Sequence, residues 1–274
     1  MTISVLMGVY NPRSKKRLLN AVESIIKQTF KDWELILYDD GSDEKYRSDI
    51  CEAADLDSRI LLITGEINYG LAYALNVGIQ HASGKYIARM DDDDTAFPER
   101  FSKQAAFLDA FPDYGWVGSN ALLEDSSGIW GVQIMPVCPD NMDFLPHSPY
   151  IHPSVLFRRE VLIQNGGYCA EPSCLLCEDY ELFMRLHQKG YRGYNLQDPL
   201  LRYWEDRNSY HKRTYSRRLR EAKIRKQGFQ KLGIPCAQAF PYVVKPLLLC
   251  LVPSRVYCLL RRWTKKGKGR ERKG

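Results

Sequence analysis

No long apolar run opens this chain. Met1-Thr2-Ile3-Ser4-Val5-Leu6 enters a strand pattern at once, with no basic leader and no cleavage site, so the expectation is a protein made and kept in the cytoplasm. Further on, the uncharged stretch Pro246 to Ser254 falls far short of the roughly 20 residues that span a bilayer. Cysteine is too sparse for a disulfide-built scaffold: eight residues lie scattered at 51, 138, 169, 174, 177, 236, 250 and 258. Cys174-x-x-Cys177 is the single close pair, without a second pair or a histidine pair at finger spacing, which argues against structural zinc and leaves reduced, partly buried thiols as the expectation. No internal repeat or low-complexity tract precedes the C-terminal region. Acidic residues nearly vanish after residue 206, where 20 Lys/Arg face only Glu221 and Glu271.

What is present is an acidic body with a basic extension. Residues 1–206 hold 19 Lys/Arg against 31 Asp/Glu, a balance of −12, and residues 207–274 carry +18. A tail of that sign meets an anionic surface, either nucleic acid or the face of a membrane. The apolar and aromatic segment 239–260, interrupted by Pro241, Lys245, Pro246, Pro253 and Arg255, reads as interfacial, with Arg261, Arg262, Lys265, Lys266, Lys268, Arg270, Arg272 and Lys273 meeting lipid phosphates. Packing of Tyr242 to Leu251 on the body is the alternative.

Hydrophobic periodicity predicts strands at Ile3 to Val9, Trp33 to Tyr38, Ile60 to Thr64 and Tyr86 to Met90, with helices over Arg17 to Thr29 and Leu71 to Ala82 between them. Such alternation predicts an α/β fold with a mostly parallel, Rossmann-like sheet flanked by helices. Further helices are expected near Lys103 to Phe111, Glu178 to Lys189 and Tyr210 to Lys231, with strands at Trp116-Val117-Gly118, Ile129-Trp130-Gly131 and Val155 to Phe157. Ligands of such sheets lie beyond the carboxyl ends of the strands. That edge collects Tyr10-Asn11, Asp39-Asp40 and the run Asp91-Asp92-Asp93-Asp94. Four adjacent carboxylates repel one another unless a cation or strong donors stand near, and a strand end presenting Asp91 and Asp93 to one side suits a hard divalent cation that also carries phosphate.

The order and spacing of Val5 to Asn11, Asp39-Asp40-Gly41-Ser42, Asn68-x-Gly70, Leu75-Asn76-x-Gly78-Ile79, Ala88 to Asp94 with Pro98-x-Arg100-Phe101, Gly166-Gly167-Tyr168 and Glu178-Asp179-Tyr180-Glu181-Leu182 resemble glycosyltransferase family 2 over roughly residues 2–205. The resemblance implies a GT-A fold and an inverting, bacterial cell-surface polysaccharide type of enzyme that takes a sugar from a nucleotide donor, most often a UDP-sugar. It implies Asp39 at the base, Tyr10 against it with Val9 and Asn11 in the same loop, and Asn68, Gly70, Asp91 and Asp92 in the donor site. Asp93 with Asp91 would hold Mg2+ or Mn2+. Asp179 would be the general base and Glu178 its support.

Two departures stand out. Some family members carry Arg where this chain has Leu75, a charge that Arg89 would supply instead. Many carry a His after the tyrosine matched by Tyr203, whereas Trp204-Glu205-Asp206 follows here, so the third metal position falls to Glu205, His211 or water. His152 is a further candidate near the donor sugar.

The combined expectation is a metal-dependent glycosyltransferase domain over 1–206 and a basic helical, membrane-interfacial extension over 207–274. Its partners would be a nucleotide sugar, a glycan or lipid-linked glycan acceptor, and the anionic inner face of the plasma membrane. A sugar nucleotidyltransferase would need a glycine-rich phosphate loop with a basic residue, which Gly8-Val9-Tyr10-Asn11 does not supply. A nucleic-acid-binding protein acting through the tail leaves the acidic body unexplained.

Overall fold

The computed structural model describes residues 1–206, 215–249, 252 and 254–266. The first half alternates strand and helix: β1 Ile3–Val9, α1 Lys15–Ile26, β2 Trp33–Asp39, α2 Glu44–Ala54, β3 Ile60–Thr64, α3 Leu71–His81 and β4 Tyr86–Arg89. There follow β5 Thr95–Ala96, α4 Arg100–Ala110, β6 Tyr114–Asp125, β7 Gly128–Gln133, β8 Leu156–Arg158, α5 Arg159–Gln164, α6 Glu178–Gln188 and β9 Arg192–Trp204. Three helices close the described chain: α7 Tyr215–Lys231, α8 Cys236–Leu248 and α9 Ser254–Lys266.

One sheet runs β3-β2-β1-β4-β8-β6-β9-β5, with β7 paired to β6. Strands β1 to β4 are mutually parallel. β8 enters antiparallel between β4 and β6, so β6 and its parallel neighbour β9 point the same way as the first four. The sheet is therefore mostly parallel, as the alternation predicts, and the carboxyl ends of β1, β2, β4 and β9 share one edge. Fully buried β1, in which Ile3, Val5, Leu6 and Met7 are at most 2% exposed, is what a parallel central strand covered on both faces requires.

Two apolar layers cover the faces. Ile3, Val5 and Leu35 pack with α1 and α4 on one side, and Leu6, Ile36 and Leu75 with α5, α6 and the C-terminal helices on the other. Ile224, Phe229, Leu232, Ile234 and Ala239 belong to this second layer. The extension that charge alone marks off at residue 206 thus shares a core with the body. Within it, Tyr242 and Val243 also pack against the core.

Four expectations are corrected. α8 runs through Pro241 and Pro246, although each interior proline forfeits a backbone hydrogen bond; burial of Ala239 and Pro246 offsets that loss. Arg261 and Arg262 do not reach outward for lipid phosphates: they pair with Glu205 and Asp125 on the body. Nor are the thiols all reduced, since Cys169 and Cys174 form a disulfide across a tight loop whose Cα atoms lie 6.1 Å apart, within bridging range. Finally, β5, α5 and β9 have no counterpart among the predicted elements, and α2 has none with stated bounds. Most of the basic tail, including Lys268, Arg270, Arg272 and Lys273, lies outside the described residues.

Candidate active site

β4 ends at Arg89, and Met90 to Asp94 turn away from it into β5. Arg100, fully buried on α4, holds this turn: its guanidinium donates to the Arg89 carbonyl at 2.8 Å and to Gln104 Oε1 at 3.1 Å. Desolvation lowers the Arg100 pKa to about 9. At the far end, Asp94 Oδ1 accepts the Trp204 N–H at 2.7 Å, tying the turn to the end of β9. The Pro98-x-Arg100-Phe101 segment is therefore a brace for the acidic run.

The run gathers its charges. Ligand oxygens of Asp91, Asp93 and Asp94 lie within 4.8 Å of one another. Desolvation, then the Asp93 and Asp91 charges, raises Asp92 to about 7, and desolvation, then Asp91, raises Asp93 to about 6. Asp94, 1% exposed, is pushed well above the carboxylate range by burial, Asp91 and Asp93. Its second oxygen is buried without a hydrogen-bond partner. Clustered, desolvated carboxylates with an orphaned oxygen fit a hard divalent cation. Asp94 joins Asp91 and Asp93 as a third candidate ligand. Glu205 lines the same cavity but is not in this cluster, both oxygens accepting from Arg261 at 2.5 and 2.8 Å, and His211 lies outside the described residues.

A cavity of about 790 Å³ opens over this edge, lined among others by Tyr10, Asn11, Arg89, Asp91, Asp92, Asp93, Glu178 and Asp179. Glu178 and Asp179 open α6. Burial is the largest cause raising both, followed for Glu178 by the Asp179 charge, while the Tyr180 N–H partly restrains Asp179. A carboxylate made more basic in this way is suited to taking a proton near neutral pH. The loop before α6 is set by α3 on the same side of the sheet: Asn76 donates to the Tyr168 carbonyl and accepts the Tyr168 N–H, both at 2.8 Å. The Tyr168 hydroxyl in turn meets His152 Nε2 at 2.8 Å. Burial and Arg89 keep that imidazole well below its usual range, so His152 lines the cavity as a neutral group.

Arg89 also faces the cavity but is 2% exposed, with Nη1 2.5 Å from Asp91 Oδ1. Its charge already serves the acidic turn. Tyr10 is 49% exposed at the lining, an open aromatic face. Asn11, left-handed at φ 45°, a conformation asparagine tolerates, clasps the next turn: its side chain donates to Asp43 Oδ2 and accepts the Asp43 N–H. The cavity lining does not include Val9, Asp39, Asn68 or Gly70. Val9 is buried in the core. Asp39, 2% exposed, accepts the Ser42 N–H, and Asp40 accepts the Tyr69 and Gly70 N–H groups, so that these loops are braced together. Asn68 is exposed beside them.

Sequence reasoning did not assign roles to Arg17, Trp204 or Leu176, which line the same cavity. Arg17 lies over the Trp204 ring at 4.4 Å. Leu176 holds a left-handed φ of 66°, unfavourable for a residue with a Cβ. Only contacts across more than 150 residues reveal the first pair, and no local signal marks the second.

A mostly parallel α/β sheet flanked by helices, with these acids and an open aromatic beyond its strand ends, has the GT-A architecture of glycosyltransferases. The model of the family described as Glycosyl transferase family 2 matches residues 4–166, and the chain belongs to that family and is a glycosyltransferase. It is 36% identical over 265 residues to EpsE of Bacillus subtilis (strain 168), covering 96% of this chain and 93% of that one. It is 30% identical to the amylovoran biosynthesis glycosyltransferase AmsE of Erwinia amylovora, covering 73% and 74%. In fold it is similar to S. aureus TarS residues 1–349 in complex with UDP, at a TM-score of 0.61 and 20% identity over 93% of this chain and 73% of that one.

Proposed function

We propose that the protein is an inverting, divalent-metal-dependent glycosyltransferase that moves a sugar from a UDP-sugar to a glycan or lipid-linked glycan in cell-surface polysaccharide biosynthesis. The observation that carries this reading is one cavity lined both by Asp91 and Asp93, which cluster with the buried Asp94, and by Glu178 and Asp179. The UDP complex of TarS supports the nucleotide, and the kinship to an amylovoran biosynthesis enzyme supports the pathway class.

Asp93 and Asp91, with Asp94 behind them, would hold Mg2+ or Mn2+. Such an ion supplies Lewis-acid neutralisation of the departing diphosphate. Tyr10 offers its exposed ring to the base, while Asp39, buried behind the lining, shapes the adjoining turn through the Ser42 N–H. Asp179 takes the proton of the attacking acceptor hydroxyl, its raised basicity matching that task, and Glu178 orients it. Attack from the face opposite the diphosphate gives a single displacement and hence inversion.

We assign α9 to the anionic inner surface of the plasma membrane. Its Val256, Leu260 and Trp263, at helical spacing, are 46%, 55% and 79% exposed, while Arg261 and Arg262 point into the body. Outward apolar residues on a basic extension suit a peripheral, interfacial contact. None of the described helices is long and apolar enough to cross a membrane.

A panel of nucleotide sugars with Mn2+, scored by UDP release and by the anomeric configuration of the product, tests the proposal. Release from a UDP-sugar with an inverted product is expected; pyrophosphate release, a retained anomer or full activity in chelator would overturn it.

A further inference from the structure

Nothing in the transfer chemistry uses the cysteines that crowd the segment leading into the acidic pair. Cys169 and Cys174 are bridged five residues apart, and Cys177 is the N-cap of α6, directly before Glu178 and Asp179. The segment is pinned at its start, where the Tyr168 N–H and carbonyl both pair with the Asn76 side chain, and at its end by α6. Between those points its tethers are few. Residues 170–173, Leu175 and Leu176 are exposed, and among the described residues the hydrogen bonds made by 170–176 stay within 171–177. The disulfide is therefore the covalent strap that fixes this loop to the pinned end. Leu176, left-handed at φ 66°, lines the cavity together with Glu178 and Asp179. A residue with a Cβ keeps that conformation only where its surroundings impose it.

The three sulfurs differ in access and chemistry. Cys174 and Cys177 are each 6% exposed, whereas Cys169 is only partly buried. Desolvation, then the Asp179 charge, pushes Cys177 up to about 12, so it stays a protonated thiol and does not compete as an exchanging nucleophile. One end of the bridge thus meets outside reagents while the other sits in the core layer. We propose that Cys169–Cys174 is a thiol–disulfide exchange site whose partner is a dithiol reductant, and that its redox state sets the order of the loop carrying Leu176 up to Glu178 and Asp179. A thiolate of the reductant attacks Cys169 Sγ, the S–S bond breaks, and Cys174 leaves as a thiolate that takes a proton. The second thiol of the reductant then displaces Cys169 as a thiol and closes the reductant's own disulfide. Two electrons and two protons pass from the dithiol to the two cysteines. The inference rests on the inner-face glycosyltransferase reading above, because a compartment that keeps thiols reduced makes a bridge there an exchanging one rather than a permanent one. With the strap open, residues 170–176 lose their tether, Leu176 is released from the left-handed region, and the first turn of α6 frays. Asp179 then meets the acceptor hydroxyl less often in the reacting geometry, while the donor half on the acidic turn is untouched.

The test compares the full chain treated with oxidised glutathione against the same chain reduced by dithiothreitol, each desalted under argon. Peptide mapping without reductant should recover the 169–174 bridge from the oxidised sample alone. Amide hydrogen exchange over residues 170–179 should quicken about tenfold on reduction, with β1 and α4 unchanged. UDP release from a nucleotide sugar in Mn2+, with water as acceptor, should fall about fivefold, and UDP binding should stay within about twofold. Cys169→Ser/Cys174→Ser should match the reduced wild type under both conditions. A protein with serine in place of Cys51, Cys138, Cys236, Cys250 and Cys258 should keep the full response. Absence of the bridge from the map, equal exchange in the two wild-type samples, or a response that survives in the Cys169→Ser/Cys174→Ser protein overturns the site; faster exchange with unchanged UDP release overturns its hold on the acidic pair. Silence from every nucleotide sugar sinks the parent function alone, since the peptide map and the exchange rates still decide the strap.

Discussion

At the scale of single residues, the site sets acids of unequal duty close together. Asp179→Asn should leave donor binding intact and lower kcat by about a hundredfold to ten-thousandfold, the usual range for loss of a general base; turnover within a few-fold of wild type would sink its assignment. Asp93→Ala should abolish the Mn2+-dependent part of UDP binding in a calorimetric titration. The acidic turn also carries a pH signature. Asp92 and Asp93 rise to about 7 and about 6 from an ordinary 3.8, so each folded pKa exceeds its unfolded value. Their contribution to stability is then complete below about pH 4 and is lost as the pH climbs through about 6 to 7. Metal-free protein should gain in denaturation midpoint as the pH falls from about 7.5 to about 5.5, and Mn2+ should flatten that slope by neutralising the cluster; a slope indifferent to Mn2+ would count against cation binding there.

Much of this chemistry was legible residue by residue, because the acids come in runs: Asp39-Asp40, Asp91 to Asp94 and Glu178-Asp179 are visible as letters. What positions them was not. Arg100 reads as one helical arginine among many, and only the fold shows its guanidinium on the Arg89 carbonyl. Asn76 likewise finds Tyr168 92 residues away.

At the scale of elements, strands with strong apolar runs matched closely: β1 and β3 fall where the pattern places them. β9 hid because its sequence breaks the alternation at Asp198 and Pro199, where its pairing with β6 slips in register between Ser119 and Ala121; irregular pairing is where a sheet admits proline. α2 hid because only Ile50 and Ala53 are buried, too little for a stripe. α9 is the inverse case, with cationic residues inward and apolar ones outward, and only the buried Glu205 and Asp125 explain that choice. Arg261→Ala should therefore destabilise the protein by about 1–3 kcal/mol, the cost of taking a bidentate donor from a buried carboxylate. Limited proteolysis should then cut first near α9; a wild-type cleavage pattern would show that the ion pair does not hold the helix.

At the scale of the whole molecule, charge is divided: a −12 body and a +18 extension meet across one cavity. Liposome flotation should distinguish the outward face of α9 from its inward face. Replacing Val256, Leu260 and Trp263 together by serine should abolish retention on vesicles containing phosphatidylglycerol while leaving the thermal midpoint within about 2 °C, since exposed side chains contribute little to folding. Undiminished flotation would remove α9 from the membrane contact.

The bond from the Trp204 amide to Asp94 spans 110 residues of chain. A ribosome working from the N-terminus delivers the four aspartates long before the strand that closes over them, and pairings so remote in sequence are slow to form. The acidic turn thus emerges as a wet, self-repelling loop, and its pocket is finished only when β9 inserts. In a refolding experiment, Mn2+ capture should trail the recovery of far-ultraviolet dichroism, which makes the ion a reporter of the last step of assembly.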